Sequence, residues 1–471
     1  MSIWSEFRFP RNGIESVPEG EPHRSGFQQD YDRLLFSTPV RRLSDKTQVW
    51  PMDENDGVRT RLTHSHEVAN LARSIGAKVF GIEEVSKEFE GPDFVGVLQP
   101  ILSTIGLGHD LGNPPFGHQG EASICKWFKC RESWIFDRVS EGAAGLRDPI
   151  IDFAIKNEFL KFDGNPQAIR LITKLQANLH GNGLDLTAGT LAASIKYPCG
   201  YGEVDESDKI KKKAGYFKSE ADIVSWVWGK TGLQSGVRHP LTWIMEACDD
   251  IAYSVLDVDD LLKKGLISPE EVISIISREC SGFDDGKIWL NAKFCMVHEA
   301  GKSHHVVRDL KIQFLRAAFM KELIGHASKS FESQLSAIAK GKGVKPLMDD
   351  SAVCECLKKI AINYALNSPK VLMAEAKGAV VIDGLMSELW RAISDRDDFE
   401  DLGSRRRSLK SKFVFSLISH NYLDVAVSDS KKHGIRYSEM RLLTDMVSGM
   451  TDTYATKLWS EIKGMEHVCC A

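Results

Sequence analysis

The stretch GLGHDLGNPPFGHQGE, residues 106–121, decides how this chain is read. The apolar run Ile101 to Leu107 leads into His109-Asp110, two different metal-ligating side chains at the end of an expected helix. Gly112, Asn113, Pro114, Pro115 and Gly117 then break that helix, because proline lacks an amide donor and locks its own φ. The Pro-Pro pair makes the loop rigid. His118 and Glu121 follow it, so His118 is held at a set place relative to His109, the preorganisation that a reacting group needs. A His-Asp pair alone means little, since it can equally be a turn with a capping aspartate. Its weight comes from the rest of the chain.

Upstream, Val68, Leu71, Ala72, Ile75 and Val79 recur at helical spacing. His64 stands at the start of that helix and on its apolar face. An imidazole there is either a satisfied core histidine or a ligand, whereas His66 points away from that face and is either solvated or a support to the ligands. Downstream, MEACDDIAYSVLDVDD (245–260) carries a second stripe of Ile244, Ala247, Ile251, Val255 and Val258. Asp249, Tyr253 and Asp257 are spaced i, i+4, i+8 and share one face of it. That face overlaps the apolar edge, where a carboxylate requires a partner. Asp259 and Asp260 read as an ordinary polar flank. Two histidines and two aspartates make a nitrogen/oxygen site without thiol, suited to Mn²⁺, Mg²⁺, Co²⁺, Fe²⁺ or Zn²⁺.

Leu310, Phe314, Ala317, Phe319 and Leu323 imply a third amphipathic helix, and strand signals are few. The expected fold is therefore all-α, with room for a minor hairpin. Loops are expected at 53–57 (DENDG), 198–215 and 341–350, where Gly, Pro and charge cluster. At 471 residues the chain exceeds a single small core. We divide it into an N-terminal segment (1–60), a catalytic core (61–265) and a helical C-terminal region (266–471) for support, oligomerisation or regulation.

The net charge of −5 gives no global field for nucleic acid. Two local runs, SRRRSLKSK (404–412) and KIKKK (209–213), are either solvated faces or phosphate contacts, to single-stranded DNA or an effector nucleotide. No apolar run is long enough for a membrane span, and MSIWSEFRFPRNGIE lacks the apolar centre of a secretory signal. The ten cysteines include no CxxC pair; Cys125/Cys130, Cys354/Cys356 and Cys469/Cys470 do not fit a zinc ribbon. They read as free thiols of a cytoplasmic protein.

RTRLTHSHEV (59–68), GHDLGNPPFGHQGE (108–121) and EACDDIAYSVLD (246–257) together resemble the deoxyguanosine triphosphate triphosphohydrolases, enzymes of the HD superfamily related to the SAM-and-HD-domain dNTPases. FQQDYDRLLFSTPVRRLSDKTQVWP (27–51), GNPQAIRLITKLQ (164–176), LTAGTLAASIKYP (186–198), KKAGYFKSE (212–220) and SGMTDTYA (448–455) extend the likeness. It is dense over 24–265 and sparse beyond. It implies an HD-domain helical core with metal ligands His64, His109, Asp110 and Asp249, binding Mn²⁺ or Mg²⁺ first of all. His118 resembles the catalytic histidine, with Glu121 as the carboxylate that orients it. Gln48 and Asp257 resemble the groups that hold the sugar 3′-OH, and Tyr253 the ring against the deoxyribose. Arg61, Lys196, Tyr197 and Lys213 resemble the triphosphate-contacting set. The implied reaction converts dGTP, or dNTPs more broadly, to a deoxynucleoside and tripolyphosphate. The implied assembly is a homo-oligomer, with a hexamer as the family pattern. The family commonly has arginine where this chain has Thr453. Competing readings are an effector-activated dNTPase, an HD phosphodiesterase or nuclease, and a nucleotide-sensing or DNA-binding module with vestigial catalysis.

Overall fold

The computed structural model describes residues 2–11, 13–18, 24–50, 58–136, 153–179, 183–280, 282–366 and 368–468. The expected 53–57 turn and Cys469/Cys470 lie outside them. The architecture is all-α. The minor hairpin is present: Arg8–Arg11 pairs antiparallel with Ile14–Ser16, with an irregular register between Arg8 and Arg11. The buried Arg8 guanidinium anchors it on Asp30 at 3.0 Å.

Helix Arg61–Phe80 starts at a capping box in which Thr60 and Thr63 each satisfy the other's backbone amide. Its stripe of Val68, Leu71, Ala72, Ile75 and Val79 is buried as expected. It packs along helix Gln99–Gly108, which is buried from Pro100 to Leu107, the Ser103 and Thr104 hydroxyls donating to carbonyls of their own helix. Gly106 makes the approach close: a Cβ there would lie 2.5 Å from Ala69 Cα. The two helices therefore bring their site ends, His64 and His109, together. Helix Pro240–Lys264 crosses Arg61–Phe80 and carries its own buried stripe. Pro240 opens it at a position that needs no amide donor, and Gly265 closes it in the left-handed region at φ +71°.

The third stripe differs from expectation. In helix His304–Ser333, Leu310 and Phe314 are only partly buried and Ala317 is exposed. The buried side is Ile312, Leu315, Phe319, Leu323, Ala327 and Phe331. Phe319 and Leu323 belong to both sets; the true stripe starts elsewhere, because Pro240–Lys264 and Arg61–Phe80 set the facing direction.

Two hydrophobic clusters meet around the site. One joins helices Arg61–Phe80, Gln99–Gly108, Pro240–Lys264, His304–Ser333 and Ala352–Ala361. The other joins Gly117–Lys129, Gly164–Thr173, Pro369–Ser394 and Ile435–Ser448. Residues beyond 266 contribute to both. An ionic cluster adds to this packing: Arg170, fully buried, is ringed by Glu220 at 2.9 Å, Asp429 at 3.0 Å and Asp445 at 2.8 Å. Every described cysteine is a free thiol, and no helix among the described residues is long and apolar enough to cross a membrane.

Candidate active site

His109 follows the last turn of helix Gln99–Gly108. Its Nδ1 lies 2.8 Å from the Gly106 carbonyl, so Nδ1 donates there and Nε2 faces inward. His64 comes from the first turn of Arg61–Phe80 and Asp249 from the middle of Pro240–Lys264. Asp249 Oδ1 is 3.4 Å from both His64 Nε2 and His109 Nε2. Neither buried Nε2 has a hydrogen-bond partner. Ligand atoms of His64, His109 and Asp249 lie within 4.8 Å of one another, and this group could hold a metal ion. The electrostatics fit a cation. Burial alone would lower the His109 pKa, yet the carboxylates of Asp110 and Asp249 raise it to about 9. Burial opposes the charge of Asp249, but His109 and Lys196 hold its carboxyl well below the usual range.

Asp110 stands slightly apart from that group. One of its oxygens receives Arg61, and the other accepts Asn113 Nδ2 at 2.7 Å and lies 3.7 Å from His109 Nε2. Burial works against its ionisation, but Arg61 keeps its pKa down at about 2.

These residues open on a cavity of about 360 Å³. Of the residues singled out in the sequence, Gln48, Arg61, His109, Asp110, His118, Glu121, Lys196, Tyr197, Lys213, Asp249 and Tyr253 line it. His64 sits behind His109 and Asp249. Asp257 does not line the cavity; it is buried one turn beyond Tyr253, and burial raises its pKa well above the carboxylate range. Gln48 Oε1 is buried without a partner. Tyr253, pushed up to about 12 by burial, is a neutral phenol at any physiological pH.

His118 is the second residue of helix Gly117–Lys129, and its Nδ1 lies 2.8 Å from Glu121 Oε2. The second Glu121 oxygen accepts the Gly164 amide at 2.8 Å, so the carboxylate cannot swing away. The hydrogen bond to Glu121 raises the His118 pKa, with burial opposing. Lys196 is 3.4 Å from Asp249, and Lys213 pairs with Asp163.

Several lining residues carried no signal that we read in the sequence. Asn113 holds Asp110. Asp163 pairs with Lys213 and caps helix Gly164–Thr173, a role its place before Gly-Asn-Pro could have announced. Thr47 and Glu375 also reach the wall. Glu375 comes from the distant helix Pro369–Ser394 and was invisible to local pattern. The two basic runs divide. Arg406 is buried, donates to the carbonyls of Ala392 and Leu402, and stacks over Phe415, so it is neither a solvated residue nor a phosphate contact. Arg405 and Arg407 are exposed. In the second run, Lys209 pairs with Asp349.

No family model matches the chain. Among curated proteins it is 31% identical over 457 residues to a deoxyguanosinetriphosphate triphosphohydrolase-like protein of Listeria innocua serovar 6a, covering 94% of each chain. A protein of the same description from Listeria monocytogenes serovar 1/2a matches at 31% over 457 residues, with 94% coverage again. An alignment of that identity across nearly the whole length places this chain in the deoxyguanosinetriphosphate triphosphohydrolase-like family.

Proposed function

We propose that the protein hydrolyses dGTP, and other dNTPs to a degree that base recognition sets, to a deoxynucleoside and tripolyphosphate, using Mn²⁺ or Mg²⁺. One observation carries this reading. A group able to hold a cation, three further cationic side chains and the His118–Glu121 pair all face one cavity. With a divalent ion bound to offset the carboxylates of Asp110, Asp163 and Asp249 that these cations face, such a wall suits a triphosphate.

His64, His109 and Asp249 would hold the ion, with Asp110 beside them. When bound, a divalent ion supplies charge neutralisation and an activated water. The chain's own groups do the rest. Arg61, Lys196 and Lys213 orient the triphosphate and oppose its charge. Water attacks the α-phosphorus, the bond from phosphorus to the 5′ oxygen breaks, and His118 gives its proton to that departing oxygen; the proton shed by the water goes to solvent, from which His118 is reprotonated. Glu121 stabilises the protonated imidazole and aims it. Tyr253 packs against the sugar, and the unpartnered Gln48 Oε1 is free to accept the 3′-OH.

The test is incubation of the full chain with Mn²⁺ or Mg²⁺ and each of the four dNTPs, singly and in pairs, with chromatographic identification of products. Deoxynucleoside and tripolyphosphate are expected. Release of pyrophosphate or orthophosphate overturns cleavage between the α-phosphorus and the 5′ oxygen. Turnover only in the presence of a second dNTP favours the effector-activated reading. Cleavage of single-stranded DNA or a cyclic nucleotide without dNTP turnover favours the phosphodiesterase reading.

A further inference from the structure

Helix Asp452–Val468 begins beside the cavity, and its first residue is turned away from its own helix. Asp452 is 2% exposed. One carboxylate oxygen accepts the Phe116 amide at 3.0 Å. The other accepts the Thr47 amide at 3.0 Å and also the Thr47 hydroxyl. Three donors from two distant segments therefore converge on one carboxylate, a group that only accepts.

Both segments matter to the site. Phe116 has φ 62° and ψ 20°, a left-handed conformation that a bulky side chain rarely adopts and that persists only where its surroundings enforce it. Gly117 follows at φ +56°, and a side chain there would lie 2.7 Å from Arg61 Nη2. This double left-handed step turns the chain out of Pro114-Pro115 and presents His118. Thr47 directly precedes Gln48. Lys46, buried beside them, closes the same junction by donating to the carbonyls of Asn113 at 2.6 Å and Ser448 at 2.8 Å.

We infer that Asp452 is a positioning residue: one buried carboxylate holds the left-handed Phe116 elbow, and through it His118, while fixing Thr47 and with it Gln48. The inference rests on the roles proposed above for His118 and Gln48. It gives SGMTDTYA a task inside the site that does not depend on the family arginine replaced by Thr453. Thr453 itself donates to Asp45 at 2.7 Å, at the exposed edge of the same contact.

The test compares full-length wild type, Asp452→Asn, His118→Ala and the double variant, each loaded with Mn²⁺ and assayed on dGTP. Asparagine keeps the shape but sets an amide N–H₂ against one of the donors. Asp452→Asn is expected to lower kcat by roughly 10²-fold, the scale of a misplaced catalytic group. It should also speed hydrogen exchange in peptides covering 111–118 and 43–50, and leave Mn²⁺ affinity unchanged. In the His118→Ala background it should cost much less kcat than in wild type, because the part acting through His118 has nothing left to position and only the Gln48 part remains. Thr453→Ala should keep wild-type kcat. Losses that multiply in the double variant, or unchanged exchange at 111–118, overturn the inference. Wild-type kcat in His118→Ala instead overturns the role of His118, and the exchange measurement then still decides for Asp452. If Asp452→Asn does not fold, Asp452→Glu, which keeps the charge but moves it, carries the same comparison.

Discussion

In the proposed reaction His118 and Glu121 make a proton donor out of an ordinary helix turn. They are three residues apart, on one face, and their nitrogen and oxygen meet at 2.8 Å. Removing the imidazole by His118→Ala should lower kcat by about 10²–10⁴-fold, the usual contribution of acid–base catalysis. Mn²⁺ affinity and dGTP binding should persist; isothermal titration separates these, and loss of metal would mean that His118 is a ligand. The carboxylate sets the pH dependence. Glu121 raises the His118 pKa, so the acid form is present below the raised value and disappears as pH climbs through it. Glu121→Gln removes that support. The alkaline limb of kcat against pH should then move to lower pH, and an unmoved limb would assign it to another group. At this level the sequence singled out residues that the fold gathers at one cavity. His64, His109, Asp110, Asp249, His118 and Glu121 are chemically distinctive residues at telling spacings. What could not be read was that Asp110 shares its carboxylate between Arg61 and Asn113, since Asn113 has no helical period to betray it.

Helix pairs place the candidate ligands. The separation of His64 and His109 depends on how closely Arg61–Phe80 approaches Gln99–Gly108, and Gly106 against Ala69 sets that distance. Gly106→Val should force the helices apart. Overpacking of this kind costs about 1–3 kcal/mol, visible as a lower denaturation midpoint. Mn²⁺ affinity should fall with it, because both imidazoles ride on the displaced helices; unchanged affinity would show that the site tolerates the movement. Helix existence and the stripes of Arg61–Phe80 and Pro240–Lys264 followed from hydrophobic period. The stripe of His304–Ser333 did not, because a long helix flanked by several neighbours has more than one face with apolar residues, and only the neighbours choose.

The molecule as a whole is tied across its length by buried charge. GNPQAIRLITKLQ, met in the sequence as a family signature, places Arg170 among Glu220, Asp429 and Asp445, with Lys174 also on Asp429. Beside it Glu158 receives Tyr437 at 2.8 Å and Arg441 at 2.5 Å. This cluster ties segments on either side of the cavity to helices Ile435–Ser448 and His420–His433. Arg170→Ala leaves three buried carboxylates without their central cation. It should destabilise the fold by about 3–5 kcal/mol, measured by urea unfolding; a change under about 1 kcal/mol, the range of an exposed pair, would mean that water reaches the cluster.

The candidate ligand types, the helical class and the rigid His118 loop were written in local pattern, since chemistry and period are properties of short stretches. The closure of that loop by Asp452, the burial of Arg406 in a run that reads as a solvated face or a phosphate contact, the withdrawal of Asp257 from the cavity wall and the arrival of Glu375 were decided only in three dimensions. Each depends on contacts between segments far apart in the chain, where no spacing rule reaches and packing alone selects the partner.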